Sequence, residues 1–164
     1  MNDEAAHIIS KLGLKPLPDE GGFYASTWMS AAKGSDGRAT GSAILFLITP
    51  EDFSALHRLR MDEVWHYHAG DPGELVRLDP RDGTCRVAVL GPSVEADHVP
   101  QAVVPAGEWQ GARILPGKAS TRGWTLFGCT LSPAWDAGEF DLGNREALAR
   151  EFPSHAGIIR ALTR

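Results

Sequence analysis

Between Phe23 and Leu131 the chain runs as short extended segments punctuated by glycine, proline and polar turns, with no helical period among them. This pattern constrains the fold more than any other feature. Ser42–Thr49 is the clearest strand, rich in β-branched and apolar residues and stopped by Pro50. Further strands are expected at Phe23–Met29, Ala55–Arg60, Glu63–His68 and Glu74–Leu78. Four more are expected at Thr84–Leu90, Gln101–Val104, Ala112–Leu115 and Thr125–Leu131. Asp79-Pro-Arg-Asp-Gly83, between two of them, has the chemistry of a hairpin loop. Consecutive strands without crossover helices pair antiparallel, so the pattern predicts an all-β sandwich or barrel.

Helices are expected only at the ends. Asp3 is placed to cap a short helix carrying Ile8, Ile9 and Leu12 on one side, with Gly13 as its stop. Asn144 caps Arg145–Glu151, Pro153 interrupts, and Ser154 caps a last helix that buries Ile158, Ile159 and Leu162. These helices are expected to cover a sheet face or an edge strand. A chain of 164 residues without repeat or linker reads as one domain, residues 1–164. A net charge of −5 without clustered Lys and Arg argues against a nucleic-acid partner. No apolar run approaches the ~18 residues that a membrane-spanning helix needs. The acidic start Met-Asn-Asp-Glu has no signal-peptide core, so the expected location is the cytoplasm. Cys85 and Cys129 form no framework and are read as reduced structural residues.

Alternation along the strands sorts the polar residues. His57 and Leu59 share one face. Glu63, Trp65 and Tyr67 share another, with His66 and His68 opposite; Gln110 and Ala112 share a face against Trp109. A cavity holding His57, Glu63, Trp65, Tyr67 and Gln110 is therefore expected, apolar and aromatic with a few convergent polar groups. A Glu desolvated against tryptophan tends to a raised pKa, and a neighbouring His offsets the rise. Such a pair suits general acid–base work near neutral pH. The plainer alternative is that His57 and Glu63 satisfy each other in the barrel interior. A zinc site built on His57, His66 and His68 lacks a third ligand on one face, and a surface or dimer-interface role suits His66 and His68 better. His7, His98 and His155 are isolated, and the Gly21-Gly22 turn precedes no helix that could hold a phosphate.

His57-x-Leu59-x3-Glu63-x6-Gly70, followed by Pro105-x-Gly107-x2-Gln110, resembles the two motifs of the cupin superfamily. A metal-binding member reads His-x-His-x3-Glu-x6-Gly and Pro-x-Gly-x2-His, so Leu59 and Gln110 stand where two ligands would be. Within the superfamily the chain resembles the DUF985 or cupin-5 family, often labelled a predicted sugar epimerase. The likeness rests on Pro18-Asp-Glu-Gly-Gly-Phe-Tyr24, Ser42–Leu47, Ser54–Leu59, Asp62-Glu-Val-Trp-His-Tyr-His68, Gln101–Gln110 and Gly128–Pro133, with a similar ending from Phe140. Asp19 departs from it, where the family usually has Pro after a His. The resemblance implies an all-β cupin double-stranded β-helix, a jelly-roll barrel with short N-terminal and C-terminal helices. It also implies a homodimer and a small-molecule ligand.

The function expected is an isomerase or epimerase acting on a sugar-like or other polar carbon acid. His57 is the candidate base, Glu63 orients it or acts as acid, and Tyr24 or Tyr67 protonates the opposite face. Trp65, Gln101, Gln110 and Phe46 are expected to contact the ligand. No cofactor is expected beyond a divalent metal held weakly, or not at all, by His57, Glu63 and Gln110. The alternatives are a metal-dependent cupin oxygenase, which needs at least three good ligands, and a non-catalytic ligand-binding protein.

Overall fold

The computed structural model describes residues 1–117 and 121–164. A first helix, α1 (Asp3–Leu12), leads into the two-residue strand β1 (Lys15–Pro16), then β2 (Phe23–Met29) and β3 (Ser42–Ile48). The middle of the chain holds β4 (Ser54–Leu59), β5 (Asp62–Gly70), β6 (Gly73–Leu78) and β7 (Cys85–Leu90). There follow β8 (Gln101–Val104), β9 (Trp109–Ile114), β10 (Thr125–Ser132) and β11 (Phe140–Leu142), and finally α2 (Arg145–Glu151) and α3 (Ala156–Ala161). The strands form two antiparallel sheets, β1-β2-β3-β10-β5-β8 and β11-β4-β9-β6-β7. This is the expected jelly roll. The sequence pattern misses β1 and β11, which are too short to show alternation.

The interior lies between the sheets. One buried cluster joins Phe46, Trp65, Phe127 and Cys129 of the first sheet to Leu75, Leu90 and Ala112 of the second. The Trp65 indole meets two phenyl rings in T-shaped geometry, Phe46 at 5.8 Å and Phe127 at 5.3 Å. Behind the second sheet, Leu56, Val76, Leu78 and Trp109 pack against Leu148, Phe152, Ile159 and Leu162 of the C-terminal segment. Full burial of each such side chain contributes about 1.5–3 kcal/mol, so the C-terminal helices are anchored to a sheet face. Helix α1 closes the outer face of the first sheet through Ala5, Leu14, Leu47 and Trp124.

Two caps differ from expectation. Asn2, not Asp3, is extended and accepts from the Ala5 amide at 2.9 Å; Asp3 already belongs to the first turn, where its charge suits the helix dipole. Asn144 caps α2 as expected, accepting from Ala147 at 3.0 Å. Ser154 caps nothing, because Pro153–His155 forms a 3-10 turn that runs directly into α3 without the extended residue an N-cap requires. Ile159 and Leu162 are fully buried there, and Ile158 only partly. The loop after β6 is a hairpin, its Asp79 accepting from the Arg81 amide and Gly83 at φ 72°.

Candidate functional site

Two adjacent strands of the second sheet, one strand of the first and one turn assemble the polar group inside the barrel. β4 supplies His57, β9 places Gln110 directly across from it, and β5 carries Glu63 and Trp65. Glu63, His57 and Gln110 are only 6%, 2% and 1% exposed. Glu63 Oε2 accepts from Gln110 Nε2 at 2.7 Å and from Trp65 Nε1 at 3.2 Å. The same indole N–H also donates to Gln110 Oε1 at 2.9 Å. The three side chains thus satisfy one another. Burial raises the Glu63 pKa from 4.5 to about 7, and the charge of Glu20 adds to the rise. His57 opposes it by charge, and the bonds from Gln110 and Trp65 oppose it by favouring the carboxylate.

His57 Nδ1 lies 2.9 Å from the Ala55 carbonyl. A carbonyl can only accept, so Nδ1 carries a proton and Nε2 is the basic nitrogen of the neutral ring. The ring stacks on Phe140 of β11 with centroids 5.5 Å apart. Glu20 Oε1 stands 3.8 Å from Nδ1 and also accepts from Ser54 Oγ at 2.7 Å.

Glu20 is the residue that strand patterns miss. It sits in the turn before β2, which depends on two glycines in left-handed conformation. A Cβ at Gly21 would come within 2.5 Å of the Phe53 carbonyl, and one at Gly22 within 2.7 Å of the Phe46 ring. Adjacent glycines beside a lone Glu were the available signal, since they allow a turn to press on a barrel mouth. Asp19 in the same turn has φ 64°, a conformation closed to proline, whose ring fixes φ near −65°.

Glu20 lines a cleft of about 270 Å³. Leu17, Tyr24, Met29, Ile44 and Trp135 make its walls apolar and aromatic, and Ser26 and Ser42 add hydroxyls. More open depressions of about 400 and 380 Å³ lie at Leu142–Glu146 and around Pro50 and Leu115–Gly117, with none of the buried polar group in their walls.

The other residues expected at the site are dispersed. Tyr24 reaches the cleft, and Phe46 packs on Trp65 in the core. Tyr67 packs on the core but turns its hydroxyl to the Gly70 carbonyl at 2.8 Å, near the charges of Arg122 and Asp71, and burial pushes its pKa up. The pairing with β10 stays in register from Glu63 to Tyr67, so alternation does keep Tyr67 on the inner face with Trp65, but at the far end of the strand from Glu63 and with its hydroxyl taken by Gly70. Gln101 is exposed, paired with His66, because in β8 it is Ala102 and Val104 that face inward. His66 and His68 lie on the outer side of β5, His66 Nε2 at 3.5 Å from Thr130 Oγ1 and His68 over Gly128. Cys129 is buried beside the carboxylates, its thiol pKa pushed well up by burial and then by the charges of Glu63 and Glu20.

The donor set does not fit a metal. Leu59 is packed with Met61, Leu131 and Phe140, and both polar atoms of Gln110 are engaged by Trp65 and Glu63. Among the described residues no three His, Cys, Asp or Glu side chains are grouped to hold an ion. Two buried candidates, His57 and Glu63, fall short of the three ligands a stable site requires.

A family model for the cupin superfamily (DUF985) matches residues 6–143. The chain belongs to this family. It is similar over nearly its whole length to two solved structures. A hypothetical protein from Leishmania major is 35% identical with TM-score 0.88, covering 97% of this chain and 98% of that one. A protein from Shewanella oneidensis is 32% identical with TM-score 0.89, covering 100% and 98%. Oxalate decarboxylase from Bacillus subtilis shares the cupin fold at 11% identity and TM-score 0.56, over 91% of this chain and 37% of that one. No functionally curated protein matches the chain. Among the described residues no helix is long and apolar enough to cross a membrane.

Proposed function

We propose that this cupin binds a small polar carbon acid in the cleft beside Glu20 and moves a proton on it, as an isomerase or epimerase does, without a resident metal. One contact carries the reading, the 3.8 Å approach of the cleft residue Glu20 to the imidazole of His57. In this mechanism His57 Nε2 takes the proton. The Ala55 carbonyl, accepting from Nδ1–H, orients the ring, and Glu20 beside it stabilises the imidazolium by charge. Glu63, with a pKa of about 7, holds a proton that is exchangeable near neutrality. Tyr24, on the cleft wall, is the donor for the opposite face; Tyr67 is set aside because its hydroxyl serves Gly70.

The experiment is deuterium incorporation from solvent into candidate carbon acids, followed by proton NMR. The wild-type protein is expected to exchange one C–H, and His57→Asn and Glu20→Gln to abolish exchange with the melting temperature kept. The 2% exposure of His57 favours a second reading, binding without turnover. A ligand that stays bound through purification and exchanges no deuterium establishes that reading and ends the catalytic one.

A further inference from the structure

The charge of the cleft decides the head group of its ligand, an argument that rests on the reading of this cleft as the ligand site. We propose that it takes a small amine, an organic cation with a compact apolar body, and that Glu20 receives the ammonium group. Glu20 is the one charged residue in the described lining. Its Oε1 accepts from the Ser54 hydroxyl, whereas Oε2 has no hydrogen-bond partner among the described residues.

The groups behind the cleft leave that charge uncompensated. Behind it lie the Glu63 carboxyl, whose pKa burial pushes up to about 7, and the His57 ring, and no Lys or Arg side chain stands in the described lining. A second anion in such a poorly screened wall is opposed, and a cation is attracted.

The walls fit the same head group. Tyr24 and Trp135 line the cleft beside Met29, and aromatic rings attract ammonium groups. Leu17 and Ile44 take an apolar body, as small-molecule pockets usually require. A volume of about 270 Å³ is at the small end for ligand pockets and suits a compact ligand. The substrate class is then a small amino-bearing compound and not a phosphate or a dicarboxylate.

The test uses three probes with one body and different heads: cyclohexylmethylamine, cyclohexylmethanol and cyclohexanecarboxylate. Each is titrated at neutral pH into the full-length protein, with binding followed by NMR shifts at Tyr24 and Ile44. The amine is expected to bind at least about tenfold more tightly than the alcohol, and the carboxylate not to saturate. Glu20→Gln is expected to erase the preference for the amine while keeping alcohol binding and the melting temperature. The wild-type series decides the head group even if that variant does not fold. Alcohol or carboxylate binding equal to or tighter than the amine overturns the amine assignment and leaves the cleft as a site. Failure of all three to shift Tyr24 and Ile44 overturns the cleft reading and the assignment with it.

Discussion

Replacing Glu63 with glutamine removes a titrating group whose folded-state pKa is raised from 4.5 to about 7 by burial. In the unfolded chain the carboxyl group titrates near its ordinary value. Between those two values the native state therefore holds a proton that the unfolded chain has released. A raised folded pKa means that the stability from this group is fully present below about pH 4.5 and is lost as the pH rises through about 7. The displacement corresponds to about 3 kcal/mol, with no discount for solvent screening because the carboxyl group is buried. For a chain of this length each kcal/mol moves Tm by about 2–4 °C, so the effect is roughly 6–12 °C. In Glu63→Gln the amide oxygen can still accept from Trp65 and Gln110, and the side chain cannot titrate. Denaturant unfolding of both proteins at pH 4.5 and 8 provides the assay. Subtracting the two profiles cancels the other titrating groups and leaves the coupled behaviour of Glu63 and His57. Wild type is expected to lose about 3 kcal/mol more than the variant across that range. Parallel profiles would refute the desolvation argument, showing that Glu63 ionises in the folded barrel as it does in water.

Trp65→Phe keeps the ring between Phe46 and Phe127 but removes the N–H shared by Glu63 and Gln110, and is expected to cost about 1–3 kcal/mol in denaturant unfolding; no measurable loss refutes the closed network. Chelation by EDTA is expected to leave Tm unchanged, since a structural metal would be lost with stability; one tightly held metal equivalent per chain in elemental analysis refutes this. A homodimer is expected by light scattering, because β2 has only the two-residue β1 along its outer edge and leaves Trp28 half exposed; a mass near 17.7 kDa at micromolar concentration refutes it.

The sequence determined the barrel because strand alternation and turn chemistry are local. Phe23–Met29 and Gln101–Val104 have the expected bounds, and the other predicted strands are recovered with shifted ends, Ala112–Leu115 proving to be the end of β9. The inward faces of Glu63, Trp65 and Gln110 follow from the same period of two, and so does the outward placing of His66 and His68. Only tertiary structure decided what reaches those groups. Glu20 lies more than thirty positions before His57 in the chain and meets it because the Gly21-Gly22 turn folds onto the barrel mouth. Tyr67 faces inward as alternation expects, but the Gly70 carbonyl takes its hydroxyl, and β11 exists because β4 offered it an edge. Register shifts and contacts between distant strands are properties of the partner strand as much as of the residue. A single-strand pattern therefore fixes which way a side chain faces and leaves open which side chain it will meet.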